Sequence, residues 1–181
     1  MFAGYNGSSA PNYQDAWLVK TDSSGNMQWS KTFGGNNSDE SFSAQQTSDG
    51  GYIIAGATWS VPGEGTLFYV IKTDSSGNAQ WNRTYKSASI QHIMAYSVQQ
   101  TSDGGYAIAG YSSNRSNGSI GAGLVKINST GGLVFEHVYK NSYEAHSVAQ
   151  TPDGGYILVG TAGGNAWLAK TDSAGNLEWN R

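Results

Sequence analysis

The hexapeptide Thr-Ser-Asp-Gly-Gly-Tyr stands at Thr47 to Tyr52 and again at Thr101 to Tyr106, and it returns at Thr151 to Tyr156 with Pro152 in place of serine. A chain written in copies of one unit must fold as an array of one supersecondary element, each copy burying its neighbour's open face. A second marker, Lys-Thr-Asp-Ser-Ser-Gly-Asn, occupies Lys20 to Asn26 and Lys72 to Asn78. It recurs at Lys170 to Asn176 with Ala174 and degenerates at Lys126 to Gly132. With a period of about 50 residues, the 181 residues hold about four units.

Between the markers lie short apolar runs bounded by turn residues: Phe42 to Gln46, Tyr52 to Ala57, Leu67 to Lys72 and Gln80 to Tyr85. They read as four strands. Ser48-Asp49-Gly50-Gly51 and Asp74-Ser75-Ser76-Gly77-Asn78 are hairpin turns, with glycine supplying the positive φ that a tight reversal needs. The second and third strands are apolar at consecutive positions, so both faces of the small sheet must be covered. The fourth alternates, Trp81, Arg83 and Tyr85 against Gln80, Asn82 and Thr84, as suits an outer edge strand guarded by charge.

A four-stranded antiparallel meander buried on both faces and repeated in tandem is a β-propeller blade. The expectation is therefore an all-β chain without helices. A parallel β-helix would need shorter coils, and a single sandwich would not place its turns at fixed phase. The predicted blades span 1–35, 39–86, 93–140 and 143–181. The first is incomplete: Met1-Phe2-Ala3-Gly4 aligns with Ile53-Ile54-Ala55-Gly56, so the inner strand is missing. The ring is thus expected to be open, closed either by further blades of a longer chain or by a second copy, and its apolar end faces predict self-association.

Composition narrows the function classes. Charged residues make up 13%, about half the usual share of roughly 25%, and glycine (25 residues), serine, threonine and asparagine fill the turns. The net charge of −3 carries no basic cluster, so nucleic acid is not an expected partner. No apolar run approaches a membrane span. The absence of cysteine excludes disulfides, thiolate metal sites and a cysteine nucleophile.

The unit, read from Ser97-Val98-Gln99-Gln100-Thr101-Ser102-Asp103-Gly104-Gly105-Tyr106 and Trp17-Leu18-Val19-Lys20-Thr21-Asp22, resembles the tandem propeller repeats of uncharacterised secreted and cell-surface proteins of archaea and bacteria. The resemblance implies an extracellular or cell-surface location and a role in adhesion or recognition, with no ligand specified. Asp22, Gly25 and Trp29, repeated as Asp74, Gly77 and Trp81 and as Asp172, Gly175 and Trp179, resemble the tryptophan-docking motif of quinone-dependent dehydrogenase propellers, with a turn one residue shorter. The pattern is also similar to the Asp-box of sialidases. In both families the element is structural, so it implies no catalytic role here.

Candidate chemistry is sparse. Asp22, Asp74 and Asp172, like Asp49, Asp103 and Asp153, could be offered as calcium ligands, but the alternating oxygen donors of a calcium loop are missing and a turn cap explains them. A hydrolase needs positioned carboxylates or a nucleophile with its base, whereas His92, His137 and His146 sit at different blade positions. A sialidase would need clustered arginines; of Arg83, Arg115 and Arg181, two share the outer-strand position of Lys31. No pocket for a quinone is visible, and no cofactor or metal is expected.

The near-verbatim turns all fall on one face of the array, so the variable loops gather on the other. Repeat arrays often bind through such a face. There Tyr13, Asp39, Glu40, Trp59, Glu64, His92, Tyr143, Glu144 and His146 are the candidate ligand contacts, aromatic and acidic groups suited to sugar or peptide. The competing reading is that these loops vary because little packs on them, and that His146 fills the position of Phe42 and Tyr96. Six sequons, at Asn6, Asn36, Asn82, Asn114, Asn117 and Asn128, agree with a surface protein. The leading expectation is a non-enzymatic binding or structural module. A carbohydrate-binding propeller is the first alternative, and a hydrolase or lyase completed by further blades is the second.

Overall fold

The computed structural model describes residues 1–7, 13–86, 90–114, 120–140 and 143–181, with the side chains of 90–93, 113 and 114 outside the described set. Its fifteen strands form four antiparallel meanders. The first has three strands, β1 (Phe2–Gly7), β2 (Gln14–Thr21) and β3 (Met27–Phe33). The second contains β4 (Asp39–Gln46), β5 (Tyr52–Thr58), β6 (Leu67–Thr73) and β7 (Ala79–Tyr85). The third contains β8 (Ile90–Gln100), β9 (Tyr106–Asn114), β10 (Ile120–Ile127) and β11 (Leu133–Lys140). The fourth contains β12 (Tyr143–Gln150), β13 (Tyr156–Ala162), β14 (Asn165–Thr171) and β15 (Leu177–Asn180). The architecture is all-β, with blade-like sheets stacked face to face and the first lacking its inner strand. The described residues contain no helix.

Every residue of β5 and β6 is buried, because Tyr52, Ile54, Tyr69 and Ile71 face the first sheet while Ile53, Ala55, Phe68 and Val70 face the third. Ala107, Ala109, Ala122 and Leu124 carry the third sheet onto Tyr156, Leu158, Trp167 and Ala169 of the fourth. In the last sheet the outward residues Val159 and Leu168 are exposed, as is Phe2 at the other end.

Two differences from the sequence reading concern the inner strands. They begin earlier than expected, at Asp39 and Ile90, and each is interrupted by a β-bulge at Ser41/Ser43, Ala95/Ser97 and Ala145/Ser147. The extra residues are Phe42, Tyr96 and His146. Their rings form a column across the blades, Phe42 to Tyr96 at 5.6 Å and Tyr96 to His146 at 5.5 Å. Opposite each bulge the second strand places a glycine, Gly56, Gly110 or Gly160, over which the carbonyl of Glu40, Met94 or Glu144 lies too close for any Cβ.

The paired glycines of the hexapeptide divide their work differently from the expectation. Gly50 has a left-handed φ of 80°, but Gly51 is not left-handed. It is glycine because Thr73 O and Lys72 Nζ approach its Cα closely. That lysine connects the two sequence markers. Lys72 is buried and donates to Asp49 Oδ2 (2.8 Å), Thr73 O (2.9 Å) and Gln80 Oε1 (3.1 Å), so all three of its protons are used. Lys126 pairs likewise with Asp103 (3.0 Å), and Lys170 with Asp153 (2.9 Å). The hexapeptide aspartates therefore do two jobs, since Oδ1 also accepts from the N–H of Gly51, Gly105 or Gly155 at 3.0 Å.

These pairs set an acid limit. Hydrogen bonding from Lys72 and then Thr47 holds the Asp49 carboxyl down at about 2, and Thr101, followed by Lys126, does the same for Asp103 at about 2. A carboxyl lowered in the folded chain stabilises it above the unfolded value of about 4 and loses that contribution as pH falls toward the folded value. The thermal midpoint followed by circular dichroism is expected to hold down to about pH 4 and then drop between about pH 4 and 2. Asp103→Asn should flatten the drop, and an unchanged profile would assign acid sensitivity elsewhere.

Candidate functional site

The third-turn aspartates are turn caps. Asp22 Oδ1 accepts from Ser24 N and Asn26 N, both at 2.9 Å, and Asp74 and Asp172 repeat the arrangement with Asn78 and Asn176. In the third blade Asn128 takes the role, its Oδ1 accepting from Thr130 N (3.0 Å) and Gly132 N (2.7 Å). Among the described residues no group of three His, Cys, Asp or Glu side chains is placed to hold a metal ion.

On the opposite face, where the first two sheets meet, Tyr13, Asn37, Ser38, Glu40 and Trp59 line an open depression of about 310 Å³. Between the lining residues Ser38 and Glu40 stands the buried Asp39. That carboxylate accepts from Gly35 N (2.7 Å) and from Ser60 Oγ (2.7 Å), while Asn37 N donates to Ser60 Oγ (3.0 Å). Trp59 is pinned through its backbone, its N–H donating to Ser38 O (2.9 Å) and its carbonyl accepting from Asn37 Nδ2 (3.1 Å). The indole can therefore be exchanged without disturbing the loop's hydrogen bonds. Burial and then the charge of Asp39 push the Asp15 carboxyl up. Burial raises Glu40, and it carries the Tyr69 hydroxyl up to about 12, with Asp39 and Asp15 adding to the effect.

Of the nine candidate contacts, the structure brings together Tyr13, Glu40 and Trp59. Asp39 is placed differently: it is only 1% exposed, its Oδ2 accepts from both Gly35 N and Ser60 Oγ, and it does not line the depression. Glu64 is engaged elsewhere by Lys86 (2.5 Å). Tyr143 stacks on Trp167 at 5.0 Å, nearly parallel, as part of the packing between the last two sheets. Glu144 lies 3.7 Å from His146, which stacks on Tyr96 in the bulge column and so occupies the Phe42 position. The His92 side chain lies outside the described residues. Asn37, Ser38, Ser60 and Asp15 were missed by sequence reasoning, although Gly34-Gly35 ahead of a carboxylate was a usable signal. A carboxylate turned back onto a Gly-Gly segment needs the close approach that Gly34 allows to Asp15 and Asp39.

Of the sequons, Asn36 and Asn82 are exposed, Asn6 is half-buried and Asn128 is folded into its turn. The side chains of Asn114 and Asn117 lie outside the described set. A second depression of about 490 Å³ lies among the repeated turns, lined by Lys126, Asp103, Phe135, Gln150 and Tyr156 among others. The charges of Lys126 and Asp103 are spent on each other.

The fold and the site together define a propeller-like blade array with a lined depression on its loop face. No protein-family model matches the chain, and no curated protein does. Among solved structures, it is similar to a protein of unknown function from Bacteroides caccae, with a TM-score of 0.58 and 12% sequence identity over 99% of this chain. The chain spans 57% of that protein's length. At this identity the likeness concerns the fold alone.

Proposed function

We propose that this chain is a non-enzymatic propeller module of a secreted or cell-surface protein, binding a carbohydrate through the depression formed by Tyr13, Asn37, Ser38, Glu40 and Trp59. The observation that carries the reading is the meeting of two aromatic walls with a carboxylate and an amide in one open depression. Apolar C–H faces of a sugar ring stack on an indole or phenol, and its hydroxyls need adjacent acceptors and donors, which Glu40, Asn37 and Ser38 supply. A depression of about 310 Å³ is at the small end of ligand sites, room for one or two sugar rings. The remaining titratable clusters are spoken for as turn caps and lysine partners. The exposed sequons Asn36 and Asn82 agree with the location.

Glycan-array screening followed by calorimetry tests the reading. Trp59→Ala is expected to weaken binding at least tenfold while leaving the far-ultraviolet spectrum and thermal midpoint in place, since its loop is held by backbone contacts. Binding that persists unchanged in both Trp59→Ala and Tyr13→Ala would place recognition elsewhere.

A further inference from the structure

One joint is made three times between neighbouring sheets, and each end of the array carries an unused half of it. An outer-strand ring, Trp29, Trp81 or Phe135, meets the next sheet's Tyr52, Tyr106 or Tyr156 edge-on at 5.5, 6.1 and 6.1 Å. The same ring covers the left-handed glycine of the next third turn, Gly77, Gly131 or Gly175, close enough at Gly77 and Gly175 that a Cβ would collide with it. Two residues on, Lys31, Arg83 or His137 lies against that glycine, with Lys31 Nζ donating to Asn78 Oδ1 (3.1 Å). In the last sheet the corresponding Trp179 is 39% exposed, and Arg181 beside it is exposed as well. In the first sheet Gly25, at φ 85°, has open space above it, and Asn26 holds the place of Asn78.

A second set of contacts identifies the occupant. Inner strands are tied to one another by side chains: Ser43 Oγ accepts from Val98 N (3.2 Å), Gln45 Oε1 from Gln100 N (2.6 Å), and Gln100 Oε1 from Ser48 N (2.8 Å). The next pair of sheets repeats all three through Ser97, Gln99 and Ser102. In the fourth sheet the outward positions hold Ser147, Ala149 and Pro152, so one acceptor and one N–H are gone. Those groups would serve an inner strand in the following sheet, and the sheet that lacks one is the first sheet of this same chain.

We propose that a second copy of the chain docks head to tail, Trp179 and Arg181 of one copy seating on the Gly25–Asn26 turn of the other. Two such joints bring eight blades around one axis, a number that propeller rings accommodate. Sedimentation velocity over a wide concentration range should give the mass of two chains. Trp179→Ala and Arg181→Glu should each weaken association at least tenfold. Arg181 is exposed and outside the core, so its variant decides the matter if Trp179→Ala loses its sheet spectrum. Because the chain has no cysteine, Asn26→Cys and Arg181→Cys chains carrying different tags should form a disulfide only when mixed. A monomer at every concentration, a dimer indifferent to both substitutions, or mixed cysteine chains that fail to cross-link would overturn the proposal.

Discussion

Gly110→Ala is expected to destabilise the chain by about 3 kcal/mol or more, at the upper end of overpacking costs, whereas Gly4→Ala should be neutral or slightly stabilising. Both glycines stand at the same place in their blades, and one methyl group is added in each case. At Gly110 the Met94 carbonyl, pushed out by the Tyr96 bulge, occupies the space a Cβ needs. Backbone cannot swing aside as a flexible side chain would, so relief requires β8 to lift from β9 or the bulge to be lost. Either change moves Tyr96 out of the column between Phe42 and His146. Gly4 has no inner strand over it and nothing within 4 Å of the added atom. The substitution there acts on the unfolded chain, where alanine has less freedom to lose and gains about 0.4–1 kcal/mol. Urea midpoints of the two variants should move in opposite directions. Equal losses would show that the bulge does not govern the position.

Trp81→Ala is expected to cost about 3 kcal/mol, near the lower limit for removing a buried aromatic because the indole is half-buried. Its ring is shared between Tyr106 and the Gly131 turn, so truncation opens a cavity between two sheets that bury each other's faces. Trp179→Ala removes the same side chain in the same register, but among the described residues no sheet packs over it, and it is 39% exposed. At concentrations too low for association its urea midpoint should stay close to that of the parent. A loss matching that of Trp81→Ala would mean that the indole stabilises its own sheet and not the joint.

The strands, their order and the gap at the front of the array were legible because each rests on local chemistry. Alternation, consecutive apolar pairs and glycine turns act within a few residues, and the repeat states each of them several times. The bulges were hidden, although both halves of each are in the sequence: Phe42 with Gly56, Tyr96 with Gly110 and His146 with Gly160. Neither half means anything until the register pairs them 14 residues apart. The same is true of Lys72 and Asp49. Each looked like part of its own turn, and only the closed hairpin shows the buried ammonium reaching the carboxylate 23 residues earlier.

The candidate site was legible by face and not by partner. Placing the variable loops opposite the repeated turns put Tyr13, Glu40 and Trp59 on one face, where the structure gathers them around one depression, since hairpin connectivity alone assigns loops to faces. It could not separate Glu40 from its neighbour Asp39, which differ in whether the side chain turns out to the depression or inward to Gly35 and Ser60.

By itself the sequence determined the array: the repeating unit, its four strands, its turns and the missing inner strand, all consequences of short-range preference and periodic burial. The tertiary structure decided what meets across the blades. Tyr13 and Trp59 come from different sheets, as do Trp81 and Tyr106, and each pair is brought together only when neighbouring blades pack.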